Sequence, residues 1–302
     1  MNFFKRFFLF VLMMPTMVLA WPIKPITIVV PLPPGGIADQ IARPIANDME
    51  KKFGVPVIVK NVPGGNHVVA LKHVNESSDD HTFVLIETGY VSGAIPVELS
   101  NNFSANLIVG GVPVMLSSAN HLPKDHLQMS IANKRAIIIG NTGTDLPHYL
   151  WIAGLTTRPN LIPISYKGGQ PAMMDLAGGH IEYAVMSMTL TMQFVETGKI
   201  RALAIASKKR HPLIPHIPTY EEVGLRGEPG EVWWGFVSHT RVSKEAADIF
   251  AQAATDSLKN NPSIQKLIGT GLVISGFTGT AAKKFLDQEA IKFKKVKQLI
   301  NQ

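Results

Sequence analysis

The feature that most constrains this chain is a rhythm of short, continuous apolar runs separated by turn residues and by stretches of helical period. The runs are Ile26 to Val30, Val55 to Val59, Phe83 to Ile86, Leu107 to Val109, Val112 to Leu116, Ala136 to Ile139, Ala184 to Met186 and Ala202 to Ala206. Continuous rather than alternating hydrophobicity over so few residues predicts strands buried on both faces. Between the first two runs, Ile37, Ile41, Ile45 and Met49 recur every fourth residue while Arg43, Asp48 and Lys52 fall elsewhere, the pattern of an amphipathic helix. Longer helices are predicted over 244–259 and 281–300. Strands alternating with helices specify an α/β sheet fold.

The chain opens on Lys5 and Arg6, an apolar run from Phe7 to Val18, and the small-residue ending Val18-Leu19-Ala20. That order predicts a signal peptide cut after Ala20, because the run is too short for the roughly 18 apolar residues a membrane anchor needs. No later stretch reaches spanning length without charge, Gly or Pro, so no stable membrane insertion is expected after cleavage. Cysteine is absent, which excludes disulfides, thiolate metal sites and a lipid anchor on Trp21, the first residue after the cut. The formal charge of +7 falls by two when Lys5 and Arg6 leave. Such an excess steers anions weakly and is no nucleic-acid footprint. The remaining chain, about 280 residues, exceeds what one core holds comfortably, so two lobes are expected.

Three turns carry the functional signal. The first strand runs into Pro31-Leu32-Pro33-Pro34-Gly35-Gly36-Ile37-Ala38-Asp39, where a glycine pair at a strand-to-helix turn frees backbone N–H groups at the positive end of a helix. The turn lacks the GxGxxG spacing and the GK[ST] ending of nucleotide sites, so no nucleotide cofactor is expected. A second turn, Gly140-Asn141-Thr142-Gly143-Thr144-Asp145-Leu146-Pro147-His148, offers two glycines, two hydroxyls and an amide. A third lies at Tyr166-Lys167-Gly168-Gly169-Gln170-Pro171, with Pro171 suited to a first helical turn. Three donor-rich turns at equivalent strand ends argue for one shared crevice, since ligands of open α/β sheets sit at the carboxyl ends of strands.

Ten histidines show no HExxH or paired metal spacing, so no metal is expected. Ser187 follows a buried strand but lies in Met186-Ser187-Met188, without the glycines of a nucleophile elbow, so no catalytic residue is assigned. Trp233-Trp234-Gly235 is read as preceding the strand that returns to the first lobe, either as a hinge-side core cluster or as an apolar ledge under a ligand.

The stretch Trp21-Pro22-Ile23-Lys24-Pro25-Ile26, the PLPPGGIAD turn, Val55 to Gly65, Tyr166-Lys167-Gly168, Gly198 to Ala204 and Pro215-His216-Ile217-Pro218-Thr219 occur in an order that resembles the tripartite tricarboxylate transporter receptors, also called the Bug family. The resemblance runs over nearly the whole chain after Ala20. It implies a two-lobed periplasmic binding protein of type II-like α/β fold, each lobe a mostly parallel sheet flanked by helices, with the ligand cleft between lobes. The division expected is 21–113 plus 236–302 for one lobe and 114–235 for the other, behind the leader 1–20. The implied function is capture of a small organic carboxylate for a two-component membrane permease. The alternatives are a sensory binding subunit of a two-component signalling system and a periplasmic hydrolase.

Carried over residue by residue, the family's cradle falls on Gly35, Gly36, Ile37, Ala38 and Asp39 and on Asn141, Thr142, Gly143 and Thr144. Lys167, Gly168, Gly169 and Gln170, together with Thr88, Gly89, Tyr90 and Ser92, are implied neighbours on the cleft wall. Met186 and Ser187 are also implied to line the ligand site. The chain departs from the family in Ile37 and Ala38, where Ser or Thr is usual, in Gly169 after the YKG motif, and in Met186, where an Asp is common. These departures point toward a more apolar acid or an amide.

Overall fold

A computed structural model of the chain describes residues 21–77, 79–141, 161–166, 168–225 and 230–300. The proposed leader, 1–20, lies outside them. The first half runs β1 (Ile26–Val30), α1 (Ile37–Phe53), β2 (Val57–Asn61), α2 (Val68–Glu76), β3 (Thr82–Glu87), a 3-10 turn over Thr88–Val91, α3 (Val97–Ser100) and the long strand β4 (Phe103–Ala119). There follow α4 (His126–Ala132), β5 (Ile137–Asn141), β6 (Leu161–Ser165), α5 (Gly169–Gly178), β7 (Tyr183–Ser187), α6 (Met188–Val195) and β8 (Ile200–Ile205). The chain then returns through β9 (Glu231–His239), α7 (Lys244–Asn260), α8 (Pro262–Gly269), β10 (Val273–Thr278) and α9 (Gly279–Ile300).

Each sheet has a parallel block closed by antiparallel strands. In the first, β2, β1 and β3 run parallel, and β9, β4 and β10 add antiparallel. In the second, β6, β5 and β7 run parallel, and the far half of β4 inserts antiparallel between β7 and β8. The helices follow the apolar stripes read from sequence: Ile41, Ile45 and Met49 of α1 are fully or almost fully buried against β1 and β3. Helix α7 begins on Ser243, whose hydroxyl accepts from the Ala246 amide at 3.1 Å and so satisfies one of the free N–H groups of a helix start.

Two sequence expectations need correction. The runs Leu107 to Val109 and Val112 to Leu116 belong to one 17-residue strand, β4, which serves both sheets. Gly110 and Gly111, which separate the two runs in the sequence, mark here the place where the strand changes partners. The ladder is irregular between Ile108 and Gly110, where Gly110 takes φ +150°. The second correction concerns the return. Trp233 and Trp234 do not precede the returning strand but lie inside β9, opposite Gly111 and Gly110 of the first sheet.

The registers fix how the two sheets meet. Glu87, the last residue of β3, pairs with Trp234, and Trp234 pairs with Gly110, so the carboxyl edge of the first parallel block is level with Gly110. On the other side, Ser187, the last residue of β7, pairs with Val114, and β5 and β6 run parallel to β7. Both carboxyl edges therefore face the short stretch Gly111 to Val114 from opposite sides. At about 3.3 Å per strand residue, the two levels are roughly 13 Å apart along β4, the scale of a small organic molecule.

Candidate functional site

On the first carboxyl edge, the turn after β1 is built around a buried carboxylate. Asp39 is 5% exposed. Its Oδ2 accepts from the Gly35 amide at 3.0 Å and from Arg43 Nε at 2.9 Å, and its Oδ1 accepts from Asn61 Nδ2 at 2.8 Å. Asn61 Nδ2 also donates to the Leu32 carbonyl at 3.0 Å, tying the end of β2 to the turn. Burial alone would push the Asp39 carboxyl up, but the bonds from Asn61, Gly35 and Arg43 outweigh it and hold the group below the usual carboxylate range. Asp39 and the Gly35 N–H, both expected to meet a guest, are thus committed to shaping the loop. Gly35 takes φ +90°, a conformation that an L side chain resists.

Beyond them, Gly36 is the N-cap of α1 and no side chain caps it. A helix start leaves its first amides without intrahelical partners, and the next residues here are Ile37 and Ala38. A Cβ built on Gly36 meets no atom of the described residues within 4 Å. Of the expected first-turn residues, Gly36, Ile37 and Ala38 retain the geometry of an anion cradle.

The 3-10 turn after β3 is inward-looking. Thr88 is buried and its hydroxyl oxygen accepts from the Trp233 amide at 3.0 Å, while the Gly89 carbonyl accepts from Asn66 Nδ2 at 3.1 Å. Ser92 is buried too, and its hydroxyl oxygen accepts from Asn66 Nδ2 at 2.8 Å and the Ala94 amide at 3.3 Å. Tyr90 is half-buried, and burial pushes its phenol up to about 12. These four residues brace the edge more than they line it.

What sequence reasoning missed is the turn before α2. Gly64, Gly65, Asn66 and His67 all take positive φ, at 129°, 56°, 47° and 73°. The signal available was Pro63-Gly64-Gly65-Asn66 directly after a strand, a dense run of turn formers. Asn66 staples this turn to the next one, and His67, 1% exposed, accepts the Glu87 amide on Nε2 at 3.3 Å. Burial pushes the His67 imidazole down to about 4. An unfolded chain would bind this proton near 6.5, so as pH falls from about 6.5 toward 4 the unfolded state gains a proton that the fold refuses, and stability drops. Over that window the loss is on the order of 3 kcal/mol. Thermal melts at about pH 7 and pH 4.5 should therefore show a larger loss for the parent chain than for His67→Gln, and equal losses would mean the folded imidazole is charged.

On the second carboxyl edge, Asn141 is buried and its side chain joins β5 to β6: Nδ2 donates to the Ile164 carbonyl at 3.1 Å and Oδ1 accepts from Ser165 Oγ at 3.3 Å. Thr142, Gly143 and Thr144, and also Lys167, lie outside the described residues. Gly168, at φ +107°, is the uncapped N-cap of α5, and a Cβ there would meet none of the described residues within 4 Å. Gly169 answers to packing, since a Cβ there would come within 2.5 Å of Leu190 Cδ2 on α6. Gln170 is exposed, and Ser187 is half-buried as the N-cap of α6. Met186 is corrected from wall to core: it is 3% exposed and clusters with Ala172, Leu176 and Ile181 beneath α5.

Among the described residues, the one His and carboxylate group tight enough for a metal ion is Asp79, Asp80 and His81. Lys24 Nζ already sits 3.0 Å from both carboxylates there, and the cluster precedes β3, at the edge away from the crossing. No helix of the described residues is long and apolar enough to cross a membrane.

Comparison with known proteins agrees with this architecture. The family model described as "Tripartite tricarboxylate transporter family receptor" matches residues 41–302. A Pseudomonas sp. UPF0065 protein from the tcbD–tcbE intergenic region is 32% identical over 229 residues, spanning 72% of this chain and 68% of its own. The solved periplasmic binding protein BugD is 25% identical with a TM-score of 0.77, covering 91% of this chain and 98% of that one. An R. palustris protein solved with adipate is 23% identical with a TM-score of 0.82, covering 93% of this chain and 98% of its own.

Proposed function

This chain belongs to the tripartite tricarboxylate transporter receptor family, and from that premise we propose that it captures a small organic carboxylate between its two carboxyl edges and hands it to the membrane permease of such a transporter. The observation that carries the reading is the register on β4, which turns the ends of both parallel blocks toward Gly111 to Val114. The guest's carboxylate sits before the uncapped start of α1 at Gly36 to Ala38, where the amides and the helix's positive end attract an anion without a salt bridge. Asp39 does not repel it, because Arg43 and Asn61 neutralise and occupy that carboxylate. Gly168 to Gln170 supply the opposing wall, and the two units close on the guest by bending at the crossing. The adipate held by the structural neighbour supports an acid of this size. In this reading residues 1–20 direct export and are removed, leaving Trp21 first in the periplasm.

Thermal melting across mono-, di- and tricarboxylates, aromatic acids and their amides tests the proposal. A true ligand at about one hundred times its dissociation constant adds about 2.7 kcal/mol of stability. For a chain of this size that is a rise of several degrees, with calorimetric heats following one-site saturation. A folded protein that responds to no acid or amide in the panel would defeat the receptor reading.

A further inference from the structure

Two adjacent tryptophans of β9 are satisfied very differently. Trp233 is fully buried, and its Nε1–H donates to Glu289 Oε2 at 3.1 Å. Trp234 is 3% exposed, and its Nε1–H finds no acceptor among the described residues. Tryptophan usually finds a partner for this group when buried, because a donor taken out of water and left unpaired is destabilising.

The position of Trp234 explains what the donor is for. Side chains alternate along a strand, so Trp233 and Val237 enter the core cluster of α2, while Val232, Trp234 and Phe236 enter the cluster of α1. Trp234 thus shares a sheet face with Ala38 and Ile37, the first residues of α1. It also shares their edge, being level with Glu87 where β3 ends and with Gly110 where β4 begins to change sheets. An uncapped helix start and a buried indole donor without a described acceptor thus lie on one face and at one edge, beside the crossing.

We propose that Trp234 is a specificity-determining residue of the cleft, whose indole N–H donates to an oxygen of the bound carboxylic acid beneath the α1 turn while its ring forms the apolar floor. This rests on the receptor reading and adds to it a side-chain donor that can tell an acid with an oxygen at that depth from one without. A ring floor also favours an acid with an apolar body over one hydroxylated along its length.

The experiment uses the chain from Trp21 onward, labelled with ¹⁵N, and its four indole N–H signals. Trp234→Phe identifies the Trp234 signal by its loss and keeps an aromatic floor; circular dichroism and melting establish that the variant is folded. Adipate is titrated first, then malate and benzoate, with calorimetry in parallel on parent and variant. In the parent, the Trp234 signal should move downfield and saturate in step with the heat. In Trp234→Phe, affinity for the same acid should fall about tenfold or more, as expected for a hydrogen bond to a charged acceptor. An acid that binds both proteins equally, or that saturates the parent without moving the Trp234 signal, overturns the proposal and leaves the receptor reading intact. Absence of binding to the parent by every acid of the wider panel overturns both.

Discussion

Gly36→Val should fold and lose its ligand. At φ −75° and ψ 179° the backbone is extended and open to any residue, and a Cβ there has no neighbour among the described residues within 4 Å. Replacing glycine by valine at an N-cap costs about 1 kcal/mol at most, a shift of a few degrees in melting temperature. The methyl groups, however, would stand in front of the Ile37 and Ala38 amides, where the carboxylate is proposed to lie. A carboxylate kept from charge-assisted bonds to two amides loses about 1.5–3 kcal/mol for each, so affinity should fall by a factor of about one hundred or more. Calorimetry on the folded variant, with whichever acid the melting screen identifies, checks this. Retained affinity would move the guest away from the first helix start.

Gly110→Ala should have the opposite profile, a large loss of stability that is present without any ligand. A Cβ on Gly110 would run into the Val273 carbonyl oxygen of β10 and come within 2.9 Å of Ile274 Cα, at a φ of +150° that alanine resists. Both obstacles are backbone, so either β10 leaves the edge of β4 or the irregular ladder around Gly110 rearranges. We expect a cost above about 3 kcal/mol, read as a lower urea midpoint. Gly111→Ala is the control: its Cβ would approach Glu231 Oε2 at 2.5 Å, but that carboxylate ends a flexible side chain and can turn aside. Gly110→Ala as stable as the parent would mean that β10 does not pair with β4 in this register.

The opposed profiles of these two glycines show where sequence reading works. Gly35-Gly36 and Gly168-Gly169 stood out because a glycine pair between a strand and a helix has a local signature. Gly110-Gly111 has the same composition and carries no such mark, because its reason is a neighbour 163 residues away in sequence, Val273. The same holds within single motifs. Asp39 looked like part of a cradle and is instead its brace, since Asn61 and Arg43 reach it first. Met186 stood where a wall residue was expected, yet α5 and its neighbours bury it.

What the sequence determined by itself is local and periodic: the α/β alternation, the apolar face of α1, the glycine turns at strand ends and the family resemblance they carry. Each of these follows from backbone geometry and hydrophobic spacing within one or two turns of chain. Only the tertiary structure decided that two apolar runs are one strand crossing between sheets, that both carboxyl edges face that crossing, and that the Trp234 donor is buried with no acceptor among the described residues. Those facts depend on which strands pair and in what register, and pairing is settled by burial and hydrogen bonding between segments far apart in the chain, where no short stretch of residues can record it.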